Sequence, residues 1–145
     1  MSKMRKIIFF IGRLCLGLIF LIAGIKKVLY WHDTREGILM KFSTLRMYFP
    51  DASIFDHFIR FVPVMLGFAT FFELAGSILL ISGFFMRLGA FLLLIFLIPT
   101  TLVYHDFWFQ VGDARALELT MFMKNLALIG SFILLSISPR FKKSC

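Results

Sequence analysis

Cysteine is scarce in this sequence. There are two in 145 residues, Cys15 and Cys145, with no Cys-x-x-Cys pair between them. A membrane dithiol–disulfide shuttle needs a close pair of thiols, so that chemistry is set aside. The stretch "GRLC" does not make a lipoprotein box either, because Arg13 occupies a position that requires a small residue. Acidic residues are also few. Eight Asp and Glu stand against sixteen Lys and Arg, a formal net charge of +8. The basic residues collect at the ends of apolar segments, which fits the positive-inside rule and not a nucleic-acid patch. No nucleic-acid partner is expected. The sequence has no Gly-rich phosphate loop, nucleophile elbow, flavin motif or paired catalytic carboxylates. Its three histidines, His32, His57 and His105, lack an i, i+4 histidine partner. No metal site is expected from them. Haem is not expected either, since it normally takes deeper ligands on facing helices.

What the chain has in quantity is apolar surface. It is 60% hydrophobic and 17% aromatic, with a mean hydropathy of +0.91, far beyond a soluble domain. The fold class that follows is an all-α membrane protein, a four-transmembrane-helix bundle in the lipid bilayer. The spans are read at about residues 7–30, 61–82, 88–104 and 119–138, each near the length a bilayer core requires. These runs lack the alternation of barrel strands. Residues 1–145 form a single integral membrane domain without internal repeats. The basic start of the N-terminus resembles a signal peptide, but Arg13 interrupts the run and its length is that of a span, so it is read as retained. Pro99 should kink the third span, with Thr100 and Thr101 supplying bonds to freed backbone groups. Lys3, Arg5 and Lys6, then Arg87, then Arg140, Lys142 and Lys143 fall on one side of an even number of spans. Both termini are therefore expected in the cytoplasm.

Residues 31–60 form the one sizeable segment outside the spans. "DTREGILMKFSTLRMYF" carries apolar residues at near-helical spacing, with Asp33 or Thr34 as a cap and Pro50–Asp51 as a break. The segment reads as an amphipathic helix at the outer membrane surface, with Trp31, Tyr48 and Phe49 at the headgroups. The competing reading is a lid over a site between the helices.

Two layers of ionisable residues interrupt the apolar runs. Glu73 lies in "FFELAGSILLISGFF", on a face shared with Ala69, Thr70, Gly76, Ser77 and Leu80. Such a small, weakly polar face lets another helix approach. In the first span Arg13, Gly17, Phe20, Gly24 and Lys27 make a comparable stripe. Counting about 1.5 Å per residue from the inner ends of both spans brings Arg13 and Glu73 within side-chain reach. An inner buried ion pair, Arg13–Glu73, is predicted, either as a lock on helix register or as a proton-handling group. Near the outer face, Lys27, His105, Asp106, Lys124 and Asn125 are expected to converge. Phe107 and Trp108 would supply a flat apolar wall. Two lysines, a carboxylate and an imidazole suit an anionic or carbonyl-bearing ligand. The plainer account is snorkelling lysines and an aromatic interfacial anchor at Trp108.

The segments "GRLCLGLIFLIAGIKKV", "FELAGSILLISGF", "RLGAFLLL" followed by "HDFW", and "KNLALIGSFILL", taken in this order and spacing, resemble the DoxX family of small membrane proteins. The resemblance covers nearly all the chain except the outer loop, which looks longer than the family's short connection. It implies a four-helix bundle in the bacterial inner membrane, with recurrent polar positions at Arg13, Lys27, Glu73, Arg87, His105, Asp106 and Lys124. It also implies a link to membrane redox complexes, the family name coming from relatives described as subunits of a thiosulfate:quinone oxidoreductase. The expected function is a redox-complex accessory or quinone-interacting subunit. A quinone is its candidate ligand, and a membrane or periplasmic redox protein its candidate partner and electron carrier. The alternatives are a small transporter or exporter component, as a homo-oligomer, and a membrane scaffold without a ligand.

Overall fold

The computed structural model describes residues 3–51 and 53–137. The expected basic cluster at Arg140, Lys142 and Lys143, the span end at Ser138 and Cys145 lie outside the described residues. Five helices follow one another: α1 (Lys3–Leu29), α2 (Trp31–Tyr48), α3 (Ile54–Ser82), α4 (Met86–Tyr104) and α5 (Gly112–Ile137). A 3-10 turn, Phe107–Phe109, links the last two. There is no strand among the described residues. α1, α3, α4 with its following turn, and α5 are each long and apolar enough to cross a membrane.

The second span begins earlier than its hydropathy indicates. α3 starts at Ile54 rather than near residue 61, running through Pro63. α5 likewise starts at Gly112 rather than near residue 119. In both cases charged residues at the N-terminal end of the helix dilute the apolar signal, while the helix itself continues. α4 runs through Pro99, and the two following threonines bond carbonyls of the preceding turn, though not that of Ile95, which the missing Pro99 N–H leaves free. Thr100 donates to the Phe96 carbonyl at 2.7 Å and Thr101 to that of Leu97 at 2.6 Å.

α3 is the central helix, packed against α1 on one side and α4 on the other, and α5 packs on α4. The core between them contains Phe20, Leu80, Leu93, Phe96, Leu97 and Phe132. Phe20 meets Phe96 edge-on and Phe132 at a tilt, with centroids 6.4 and 5.4 Å apart. The predicted stripe on α1 is a packing face, with Gly17, Phe20 and Gly24 all buried. A Cβ on Gly17 would meet the Ile81 side chain, and one on Gly24 would lie 2.6 Å from Leu74 Cδ2. These two close approaches set the register of α1 on α3. They place Arg13 level with Gly83, so α1 extends past the inner end of α3.

The α3–α4 contact is closer still. A Cβ built on Gly89 would lie 2.8 Å from both the Gly76 carbonyl oxygen and the Leu80 amide nitrogen. Backbone cannot move aside as a flexible side chain can. Gly89→Ala is therefore expected to cost about 1–3 kcal/mol by forcing the two helices apart. Gly67→Ala, where a Cβ meets nothing within 4 Å, should be close to neutral. Unfolding of the two variants in detergent micelles, side by side, checks the contrast.

Candidate functional site

A carboxylate inside lipid is costly unless a cation and hydrogen bonds compensate it. Glu73 is 2% exposed, facing α1 and α4. Its neighbours Thr70 and Ser77 donate their hydroxyls back to Leu66 and Leu74 carbonyls in their own helix. The partner that reaches the acid is Lys27, whose Nζ donates to Glu73 Oε2 at 2.5 Å. The same ammonium lies 4.4 Å from the centre of the Phe96 ring, a cation–π contact within a desolvated setting.

The expected Arg13–Glu73 pair is thus corrected: Glu73 pairs with Lys27. The error lies in register. The depth count set residue 7 level with residue 82, whereas packing sets residue 13 level with residue 83. In an antiparallel pair the count would set residue 6 level with residue 83, so the offset is seven residues (13 − 6), about 10 Å of helix rise. Arg13 instead lays its guanidinium over Gly83, the left-handed cap that ends α3. A cation there complements the negative end of the helix dipole. The Arg13 Nε makes no hydrogen bond among the described residues.

The outer layer does not converge on one pocket. Three consecutive residues at the end of α4 point to three different elements. Asp106, 1% exposed, takes Lys41 Nζ of α2 on its Oδ1 at 2.8 Å, with Gln110 Nε2 also reaching Oδ1 at 3.5 Å. His105 Nδ1 lies 2.8 Å from Glu118 Oε2 of α5. Tyr104 lines a cavity. Lys27 belongs to the Glu73 layer, Lys124 is exposed and Asn125 half-buried. The expectation that Lys27, Asp106 and Lys124 meet is therefore corrected as well: each acid is taken by a nearer base. Phe107 and Trp108 pack on Phe122 of α5, at 5.3 and 6.2 Å. Trp108 stays 45% exposed and does not line the cavity beside Tyr104.

Two of these partners were legible but overlooked. His105 directly follows α4 and Glu118 lies in the second turn of α5, which runs back past the end of α4. Lys41 falls on the same α2 face as Ile38, Phe42 and Leu45, the apolar side that must turn inward.

That inward turn builds the cavity. α2 buries Phe42 and Leu45 against Val62, with Phe58 and Val103 alongside. Between α2, α3 and α4 remains a space of about 300 Å³. Its walls are Ile38 and Phe42 of α2, Phe68, Ala69 and Phe72 of α3, and Phe96, Thr100 and Tyr104 of α4, among others. Thr100 and Tyr104 are the two lining residues with side-chain polar atoms. The Thr100 hydroxyl is spent on the Phe96 carbonyl. The Tyr104 phenol is then the donor available to an occupant. Phe96 separates this cavity from the Lys27–Glu73 pair, since its ring belongs to both.

The comparisons with known proteins agree on one family. The DoxX family profile matches residues 8–106. The chain is 28% identical over 134 residues to the inner membrane protein YphA of Escherichia coli (strain K12), covering 92% of this chain and 84% of that protein. No solved structure matches the chain.

Because removing one partner strands a buried charge, Lys27→Met alone is expected to destabilise the bundle by about 3–5 kcal/mol. Lys27→Met combined with Glu73→Leu should recover most of that loss, whereas Arg13→Ala should leave Glu73 paired. A double-mutant cycle on detergent unfolding measures the coupling, and zero coupling between positions 27 and 73 would contradict the pairing.

Proposed function

From the premise that the chain belongs to the DoxX family of integral membrane proteins, we propose that it is a quinone-interacting accessory subunit of a redox assembly, and that the quinone occupies the cavity between α2, α3 and α4. The observation that carries this reading is the cavity's chemistry. It is a small, almost wholly apolar space ringed by aromatic side chains, with one uncommitted phenol at its edge. Ligand sites are commonly apolar clefts with a few polar groups that fix orientation.

A quinone head would stack among Phe42, Phe72 and Phe96 and accept a hydrogen bond from Tyr104 through one carbonyl. At about 300 Å³ the space takes the head and the first part of a tail, the remainder lying among lipid chains. Electrons come from a partner protein, since the residues lining the cavity carry no redox group. The name of the Escherichia coli relative supports an inner-membrane location. Lys3, Arg5 and Lys6 before α1, with Arg87 between α3 and α4, support placing that end of the bundle in the cytoplasm.

Binding of a short-tailed ubiquinone analogue to the protein in lipid nanodiscs, followed as a rise in unfolding temperature, tests the reading. Ala69→Phe should fill the cavity and abolish the stabilisation. Tyr104→Phe should weaken binding roughly fivefold, the equivalent of one hydrogen bond of about 1 kcal/mol. Lys124→Ala should bind as the parent does. Undiminished binding by the Ala69→Phe variant would remove the proposal.

A further inference from the structure

We propose that α2 is a hinged lid over the cavity and that the buried Lys41–Asp106 ion pair is its latch. The inference rests on the cavity as a ligand site and concerns how a ligand enters it. Ile38 and Phe42 of α2 form one wall of the space, and Lys41 sits on the same helical turn between them. When that turn moves, the wall moves with it.

The connections at both ends of α2 suit a pivot. Tyr30 alone joins it to α1, and at its other end α2 stops at Tyr48, short of the start of α3 at Ile54. The N-cap residue Tyr30 makes no side-chain capping bond, the Thr34 hydroxyl donates to its carbonyl, and Phe49 closes the helix through backbone bonds to Leu45 and Arg46. Of the eighteen residues in α2, Phe42 and Leu45 are the buried ones. The helix is therefore held to the bundle by a small apolar patch that Ile38 and Leu39 extend, by the stack of Tyr48 on Phe109 and by the charge on Lys41.

The latch itself is poorly compensated. Asp106 is buried, yet its Oδ2 has no hydrogen-bond partner among the described residues, and both described contacts fall on Oδ1. A buried ion pair gains stability only when its remaining lone pairs are satisfied; otherwise desolvation nearly cancels the attraction. Such a pair holds a helix in place without making its opening prohibitive. A second ion pair, Arg46–Asp56, ties α2 to α3 but is exposed at the surface, where it contributes little. Water admitted on opening would solvate both Lys41 and Asp106 and supply the donor that Oδ2 lacks.

Hydrogen–deuterium exchange of the full chain in lipid nanodiscs reads the opening directly, without any ligand. In Lys41→Met and Asp106→Asn the amides of α2 are expected to exchange about tenfold faster, with α3 and α4 remaining as slow as in the parent. Lys41→Arg, which keeps the charge, and Arg46→Ala, which removes the exposed pair, should both match the parent. Unchanged α2 exchange in Lys41→Met and Asp106→Asn overturns the lid. So does acceleration across all helices, which makes the pair a general brace. If α2 opens selectively but the quinone analogue does not bind, the proposed function fails and the lid stands; quinone binding with no selective opening sinks the lid alone.

Discussion

The bundle depends on how a carboxylate is accommodated where water is absent. Glu73 sits in the middle of the central helix and takes its cation from α1, not from solvent. That contact is possible because Gly24 lets Leu74 against the backbone of α1, bringing the ammonium at the next turn to the acid. Apolar packing alone specifies register weakly in a membrane, since lipid tails are as good a partner as leucine. Small residues and a paired charge specify it well. The position of Arg13 at the end of α3 and the seating of Phe96 under Lys27 both follow from the same register.

The end of α4 performs a second organising task. Tyr104, His105 and Asp106 fan out to a cavity, to α5 and to α2 in turn. Helical geometry makes this natural: successive residues point about 100° apart, and the helix ends here, so three neighbours become reachable from one turn. One short segment thereby ties the outer end of the last span, the outer helix and the cavity edge together. Tyr48 stacked on Phe109 at 4.5 Å reinforces the link between α2 and the same turn. Chemistry at the cavity and motion of α2 are consequently properties of one structural neighbourhood.

Much of this was visible in the residues before any coordinates. The four spans follow from length and hydropathy, and the glycine stripe of α1 and the small-residue face of α3 follow from helical spacing. Glu73 was legible as an acid in need of a base, and Lys27 stood on the Arg13 stripe but was assigned to the outer layer. The pairing of the two was not legible. Arg13 and Lys27 lie on the same stripe fourteen residues apart, and a choice between them requires the relative depth of two helices. Hydropathy locates a span's end only to within a few residues and carries no information on how far two helices slide past each other, which here differs from the depth count by seven residues. Lys124 erred the other way, because α5 is the least enclosed of the spanning helices and the face carrying Thr120 and Lys124 stays outside.

By itself, then, the amino-acid order determined what each segment is: which stretches leave water, which face of a helix permits close approach, and that the acid at 73 required a base. Those are local consequences of side-chain volume and transfer energy, and they do not depend on neighbours far away in the chain. Only the tertiary structure decided which base, which residues of the outer helix turn inward, and that a space remains beside them. Partner choice and cavity shape depend on sliding whole helices past one another. A shift of one or two turns leaves every local preference intact while exchanging every long-range contact.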